Sequence, residues 1–165
     1  MKFLKIVAFS VVILLMANSD LFSQVKGDEL KELIKKQEYI FVAQNALTQR
    51  GRTVNLTSEY DLKIGEIEIE AYLPFFGRAF TAPIDPTQGG IKFTSKNFEY
   101  KERKGRKSGW DITIVPKDYR EVNSMNLSIS DNGYATLSVN SNQRSNISFY
   151  GYIIRKPEKK EVESN

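Results

Sequence analysis

The chain contains no histidine and no cysteine. Without imidazole or thiol there is nothing to build an ordinary zinc site, a thiol nucleophile or an imidazole general base. What remains for chemistry is carboxylate, Ser/Lys or Tyr. Lacking cysteine, the chain also lacks disulfides and the usual lipoprotein anchor, so its fold must rest on apolar burial. No glycine-rich phosphate loop follows a strand and opens a helix. No sequence repeat or second domain is visible, and no cofactor or metal is called for.

Long apolar runs are missing too. The longest, Ile6 to Ala17, has about twelve residues, short of the roughly twenty that span a bilayer. Lys2 and Lys5 precede it, and Asn18-Ser19 and Ser23-Gln24 follow. This is the layout of a cleavable secretory signal over residues 1–23, cut after Ser19 or Ser23. An uncleaved N-terminal anchor is the alternative. The expected location is periplasmic or extracellular, with no transmembrane span after cleavage. Losing Lys2, Lys5 and Asp20 takes the basic and acidic counts from 24 against 20 to 22 against 19. That excess is too small to imply nucleic acid.

The remaining residues predict one domain over 24–155 and a charged tail over 156–165. Asp28 to Lys36 has the pattern of a short amphipathic helix, with acids in its first turn and Leu30, Leu33 and Ile34 on one face. Alone it is marginal, so it must dock on a sheet. Tyr39 to Ala43 opens the β region, and a polar loop is expected through Gly51. In the next segment Tyr60, Leu62 and Ile64 alternate with polar residues, as do Ile67, Ile69 and Ala71. Placing both sets on one face predicts the pairs 64–67, 62–69 and 60–71 around a Gly65-Glu66 turn. Lys63 would then face Glu68, and Asp61 would lie beside Glu70.

Further strands are expected at Ile91–Thr94, Asn97–Lys101 and Gly109–Val115, with Phe98 opposite Ile112 and Tyr100 opposite Trp110. Met125, Leu127 and Ile129 should meet Val139, Leu137 and Ala135, leaving a three-residue loop with Gly133 left-handed. The last strand should pair Ile147, Phe149 and Gly151 with Val139, Leu137 and Ala135. These elements add up to a mainly β (α+β) fold: a curved antiparallel sheet or partly open barrel of about eight strands, with the N-terminal helix packed on it. A sandwich is the second choice.

Candidate sites are sparse. Glu66, Glu68 and Glu70 share a strand face, but it is the solvated one. Asp131-Asn132-Gly133 is a turn rather than a calcium loop. Lys101 to Lys107 holds five positive charges against one negative. It could bind anionic headgroups or polysaccharide, or be a solvated tip that discourages edge pairing. The stretch Tyr72 to Pro83 packs four aromatics, two prolines, a glycine and an arginine into twelve residues. Its Tyr72, Phe75, Phe76 and Arg78 are interface-type residues, unless the rings plug the mouth of the sheet. Trp110, Tyr150 and Tyr152 complete the candidate binding residues.

The segment Tyr72-Leu73-Pro74-Phe75-Phe76-Gly77-Arg78-Ala79 resembles a motif of small exported proteins of Bacteroidetes-type bacteria, domain of unknown function 4251. Gly89-Gly90 before Ile91-Lys92-Phe93-Thr94-Ser95 is similar to the family's next element. Ser141, Arg144, Ile147, Phe149 and Gly151 match its closing strand, and the likeness covers about residues 37 to 155. Phe75 stands where the family pattern has Tyr. The resemblance implies an envelope location and a β-rich domain, and brings no activity or catalytic residue. The reading is an exported, non-catalytic binding or accessory domain for an unknown protein or glycan. A small apolar-ligand carrier is the alternative, and a carboxylate-dependent hydrolase the third.

Overall fold

The computed structural model describes residues 24–78, 89–105 and 108–157. The expected signal peptide and nearly all of the charged tail lie outside these residues, as do Ala79 to Gln88 and Arg106-Lys107. Helix α1 (Gly27–Lys36) is followed by β1 (Tyr39–Thr48), β2 (Thr53–Ile64), β3 (Ile69–Pro74), β4 (Gly90–Ser95) and β5 (Phe98–Lys104). Then come β6 (Trp110–Pro116), β7 (Val122–Ile129), β8 (Tyr134–Ser141) and β9 (Ile147–Arg155). All nine strands form one antiparallel sheet in the order β4-β3-β2-β1-β9-β8-β7-β6-β5, curled into a nearly closed barrel. Among the described residues no helix is long and apolar enough to cross a membrane.

Period-two alternation decides what fills the inside. Phe41, Leu62, Ile69, Leu73, Ile91, Ile112, Ile114, Leu127, Leu137 and Phe149 are all buried in one apolar cluster. Leu30, Leu33 and Ile34 of α1 join the same cluster. The helix ends on Gln37 in the left-handed region (φ 53°), whose N–H donates to the Ile34 carbonyl at 3.0 Å. It is tied to the sheet by Arg155, which donates two hydrogen bonds to Glu29 at 2.6 and 3.1 Å. Tyr39 and Tyr100 share a hydrogen bond of 3.0 Å inside the barrel. Burial pushes the Tyr100 hydroxyl up to about 12 and raises that of Tyr39 well above its ordinary value.

The ladder is interrupted at β1, between β2 and β9. Gln44 bulges out of β1, and across it the β2 partner jumps from Tyr60 to Asn55. Beside the bulge, Ala43 faces Gly151, which faces Ala135. A methyl on Gly151 would overlap the Val42 carbonyl oxygen and press on the Phe41 ring. A glycine there lets two strands approach at a barrel corner. The edges β4 and β5 are joined at another corner by Asp118. It accepts the Ser95 hydroxyl and the N–H groups of Lys96 (3.0 Å) and Asn97 (3.2 Å).

Two expected registers are corrected. In the β2–β3 hairpin Ile64 pairs with Ile69 and Leu62 with Ala71, so the loop is Gly65 to Glu68. The Gly65 N–H closes it on the Glu68 carbonyl at 2.9 Å, and Ile67 sits on the tip, 80% exposed. Lys63 therefore meets Glu70 at 2.9 Å rather than Glu68, and Asp61 faces Tyr72. Glu68 instead pairs with Lys96 at 3.2 Å, so the three glutamates do not form a cluster. Sliding a strand by two residues keeps every side chain on its face, so face matching could not exclude this register. In the β5–β6 hairpin Tyr100 pairs with Ile114, and Trp110 with Lys104. The strand thus runs on through Lys101 to Lys104, where the sequence suggested a charged tip. The expected polar loop before Gly51 is also mostly strand, since β1 reaches Thr48 and β2 begins at Thr53. The β7–β8 and β8–β9 registers are those expected, with Gly133 at φ 81°.

Gly151→Ala should lower unfolding stability by about 3 kcal/mol through overpacking. Gly89→Ala, with nothing near its added methyl, should stay within about 0.5 kcal/mol. Urea midpoints of the two variants check this. A second prediction concerns pH. The Ser95 hydroxyl first, then the Lys96 and Asn97 N–H groups, hold the Asp118 carboxyl below its ordinary value of 3.8. Its stabilising effect is therefore complete above the unfolded value and is lost as pH falls through the lower folded value. The gap in urea midpoint between the natural chain and Asp118→Ala should be widest near neutrality and narrow below about pH 4.

Candidate functional site

The stretch after β3 and the loop between β8 and β9 are built onto each other. Pro74 ends its strand buried, and Phe75 turns in so that the Arg144 guanidinium lies 5.1 Å from its ring centroid. A methyl on Gly77 would overlap Ser145 Oγ and the Phe75 ring, so glycine lets the chain pass. The Arg78 N–H donates to Ser145 Oγ at 3.2 Å, and the Ser145 N–H donates to the Arg78 carbonyl at 3.0 Å. Two stretches 67 positions apart thus meet at one rim of the barrel.

Arg144, only 8% exposed, has its charge met by Glu121, with Nε 2.6 Å from Oε1. That contact lies off the line of a hydrogen bond and leaves Oε1 without another partner, so attraction between charges carries it. Glu121 also accepts the Tyr119 hydroxyl at 2.9 Å, and Tyr119 stacks on Phe93 with centroids 4.4 Å apart. Burial first, then the Glu121 carboxylate, pushes Tyr119 up to about 12. Ser141 Oγ accepts the N–H groups of Gln143 and Arg144, both at 3.1 Å, and donates to the Glu121 carbonyl at 2.9 Å. A guanidinium engaged in this way holds the rim together and has little to offer an anion. Phe76 (36% exposed) stands on the surface, and Arg78, whose backbone joins the clasp, is exposed as well.

Two grooves mark the outer wall. The first, about 940 Å³, runs over β2, β3 and β4. Tyr72 lies in it between Tyr60, centroids 5.4 Å apart, and Lys92, whose Nζ is 5.5 Å from the ring centroid. Burial raises the Asp61 carboxyl above its ordinary value; Lys63 opposes this, and Glu70 and Glu59 add to it. Lys63 is raised by its hydrogen bond to Glu70. The second groove, about 770 Å³, lies over β6 to β9 beside the Gln44 bulge. Tyr134 and Tyr150 line it, 55% and 43% exposed, and Tyr152 pairs with Tyr134 across the ladder.

The seven candidate residues therefore fall in four places. Phe75, Phe76 and Arg78 are at the rim, Tyr72 is in the first groove, and Tyr150 lines the second, with Tyr152 next to it as the ladder partner of Tyr134. Trp110 faces inward opposite Ile129 and packs half-buried against the core. Sequence reasoning missed Glu121 and Tyr119, because nothing in their local spacing signals a partner on another loop. It also missed Tyr134, although the face matching of β8 with β9 placed it beside Tyr152. Among the described residues no group of three or more Asp, Glu, His or Cys could hold a metal ion.

A family model described as "Domain of unknown function (DUF4251)" matches residues 23–153. No curated protein matches. Among solved structures, the crystal structure of a DUF4251 family protein from Bacteroides eggerthii is similar in fold, with a TM-score of 0.56 at 14% identity. The likeness covers 78% of this chain and 86% of that one.

Removing Arg144 strands Glu121 in the rim. Arg144→Ala should cost about 3 kcal/mol, the range for breaking a buried pair. Phe76→Ala should stay within about 0.5 kcal/mol, as for a surface substitution. Thermal and urea unfolding of the two variants compare these costs directly.

Proposed function

The chain belongs to the DUF4251 family, and from that premise we propose that it is an exported, non-catalytic binding domain of the cell envelope, taking a protein or glycan partner on the outside of its barrel. The observation that carries the reading is the filled interior. Phe41, Phe149, Leu30 and Ile34 occupy the space where a carrier would hold its ligand. Two open grooves lie on the outer wall, and both are lined by tyrosine. Tyrosine combines a large apolar plate with a polar tip and loses little freedom on binding. Support for export comes from Lys2, Lys5 and the apolar run after them.

One observation favours a second reading. In the first groove an acid raised by burial, Asp61, lies near Glu70, which Lys63 keeps paired at 2.9 Å. Carboxylates in unlike environments are the raw material of a hydrolase. The chain should be expressed in full in a bacterial host and the envelope fraction collected. Mass spectrometry should find a mature N-terminus at Asp20 or Gln24. A cytoplasmic, uncleaved chain would overturn the export reading. Hydrolysis of a polysaccharide that stops in Asp61→Asn would replace the binding domain with an enzyme.

A further inference from the structure

Acidic and basic side chains are distributed unevenly around the barrel. The outward positions of β2 to β4 carry Asp61, Lys63, Glu70 and Lys92, and those of β5 carry Glu99, Lys101 and Arg103. By contrast β7, β8 and β9 as far as Ile154 hold no acidic or basic side chain, in a chain of which 27% is charged. Apart from the buried Ile154 at the end of β9, their outward positions are serine, threonine, asparagine and tyrosine, standing opposite the buried Met125, Leu127, Leu137, Val139 and Phe149. Resting on the binding-domain reading above, we propose that this neutral face, with the groove between Tyr134 and Tyr150, binds a neutral polysaccharide chain.

Charge complementarity selects this occupant. Across β7 to β9 as far as Ile154 the face offers no charge of either sign, and at its border the Asp111 carboxylate stands opposite Arg103 in the ladder, so these strands give a phosphorylated or sulfated chain no basic side chain to pair with. A protein partner would favour Trp, Phe, Met and Arg beside the tyrosines, and this face has none of them outward, whereas serine, abundant here, is depleted from such surfaces. A neutral sugar presents hydroxyls in every direction and apolar C–H faces between them. Hydroxyl and amide groups match the first, and exposed tyrosine rings match the second.

The polar groups are also held in place. Ser138 Oγ and Ser148 Oγ share a bond of 2.9 Å, Thr113 Oγ1 donates to Asn126 Oδ1 at 3.1 Å, and Asn140 Nδ2 donates to Ser124 Oγ at 3.0 Å. Each pair keeps donor or acceptor capacity to spare. Fixed on adjacent strands, they lose little entropy when a ligand arrives. The Gln44 bulge and the close approach at Gly151 flank Tyr150, so the bend in the sheet forms the groove wall.

Affinity electrophoresis in native gels tests the proposal, using the purified chain in gels cast with dextran, galactomannan or xyloglucan, and with alginate as the anionic control. At least one neutral polymer should retard the protein, and added salt should not relieve it. The Tyr134→Ala/Tyr150→Ala double variant should bind about tenfold more weakly. Tyr134→Phe/Tyr150→Phe keeps the rings, guards against a folding defect and should bind nearly as well as the natural chain. Retardation by none of the neutral polymers, or by alginate alone with release by salt, would overturn the assignment. So would sedimentation as a dimer that the alanine pair dissolves, because a second copy would then be the occupant. If Tyr72→Ala or Phe76→Ala abolishes retention and the alanine pair does not, the neutral face is refuted while binding on the outside of the barrel stands.

Discussion

Burial of inward side chains in a single enclosed space governs this molecule. With no disulfide available, the stability of a chain this size must come from apolar surface withdrawn from water. Nine strands supply the wall and most of the filling, and α1 adds Leu30, Leu33 and Ile34. Curling the sheet tightly enough to do this needs local devices. The Gln44 bulge bends β1, and Gly151 gives way to the Val42 carbonyl at the corner. An unpaired residue at the bulge and a missing side chain at the glycine each let the strand bend where a regularly paired sheet would stay flatter.

Polar groups are used where the wall must be joined to something. Asp118 gathers the corner between β4 and β5, and Glu121 with Arg144 and Tyr119 ties the loops of one rim. The prominent stretch around Phe75 and Phe76 divides between two roles. Phe75 is covered by Arg144, while Phe76 faces solvent. Because the interior is full, the surface open to other molecules is the outer wall, where the neutral sector and the charged sectors offer different chemistries.

Registers show what a sequence can and cannot specify in a sheet. The β7–β8 hairpin was legible because two apolar triplets are bounded by Gly133, and a slip of one would have faced Ile129 with Thr136. The β2–β3 hairpin was not, because Ile67 has the parity of a core residue yet sits on the turn. For β5, charges from Lys101 to Lys104 hid the second half of a strand at the sheet edge, where one face can remain in water. The rim site was legible only in its halves: Phe75 to Arg78 and Ser141 to Arg144 each stood out, without any indication that they touch.

Composition and periodicity by themselves determined the class of fold, the docked helix, the inward faces of β7, β8 and β9 and the absence of thiol and imidazole side chains. These are local properties, fixed by residue type and by the alternation of side chains along a strand. Tertiary structure alone decided which of two registers differing by two residues is used, which of two neighbouring phenylalanines is covered, and which tyrosines share a groove. Those outcomes depend on distances between segments far apart in the chain, set only when the sheet curls and its edges meet.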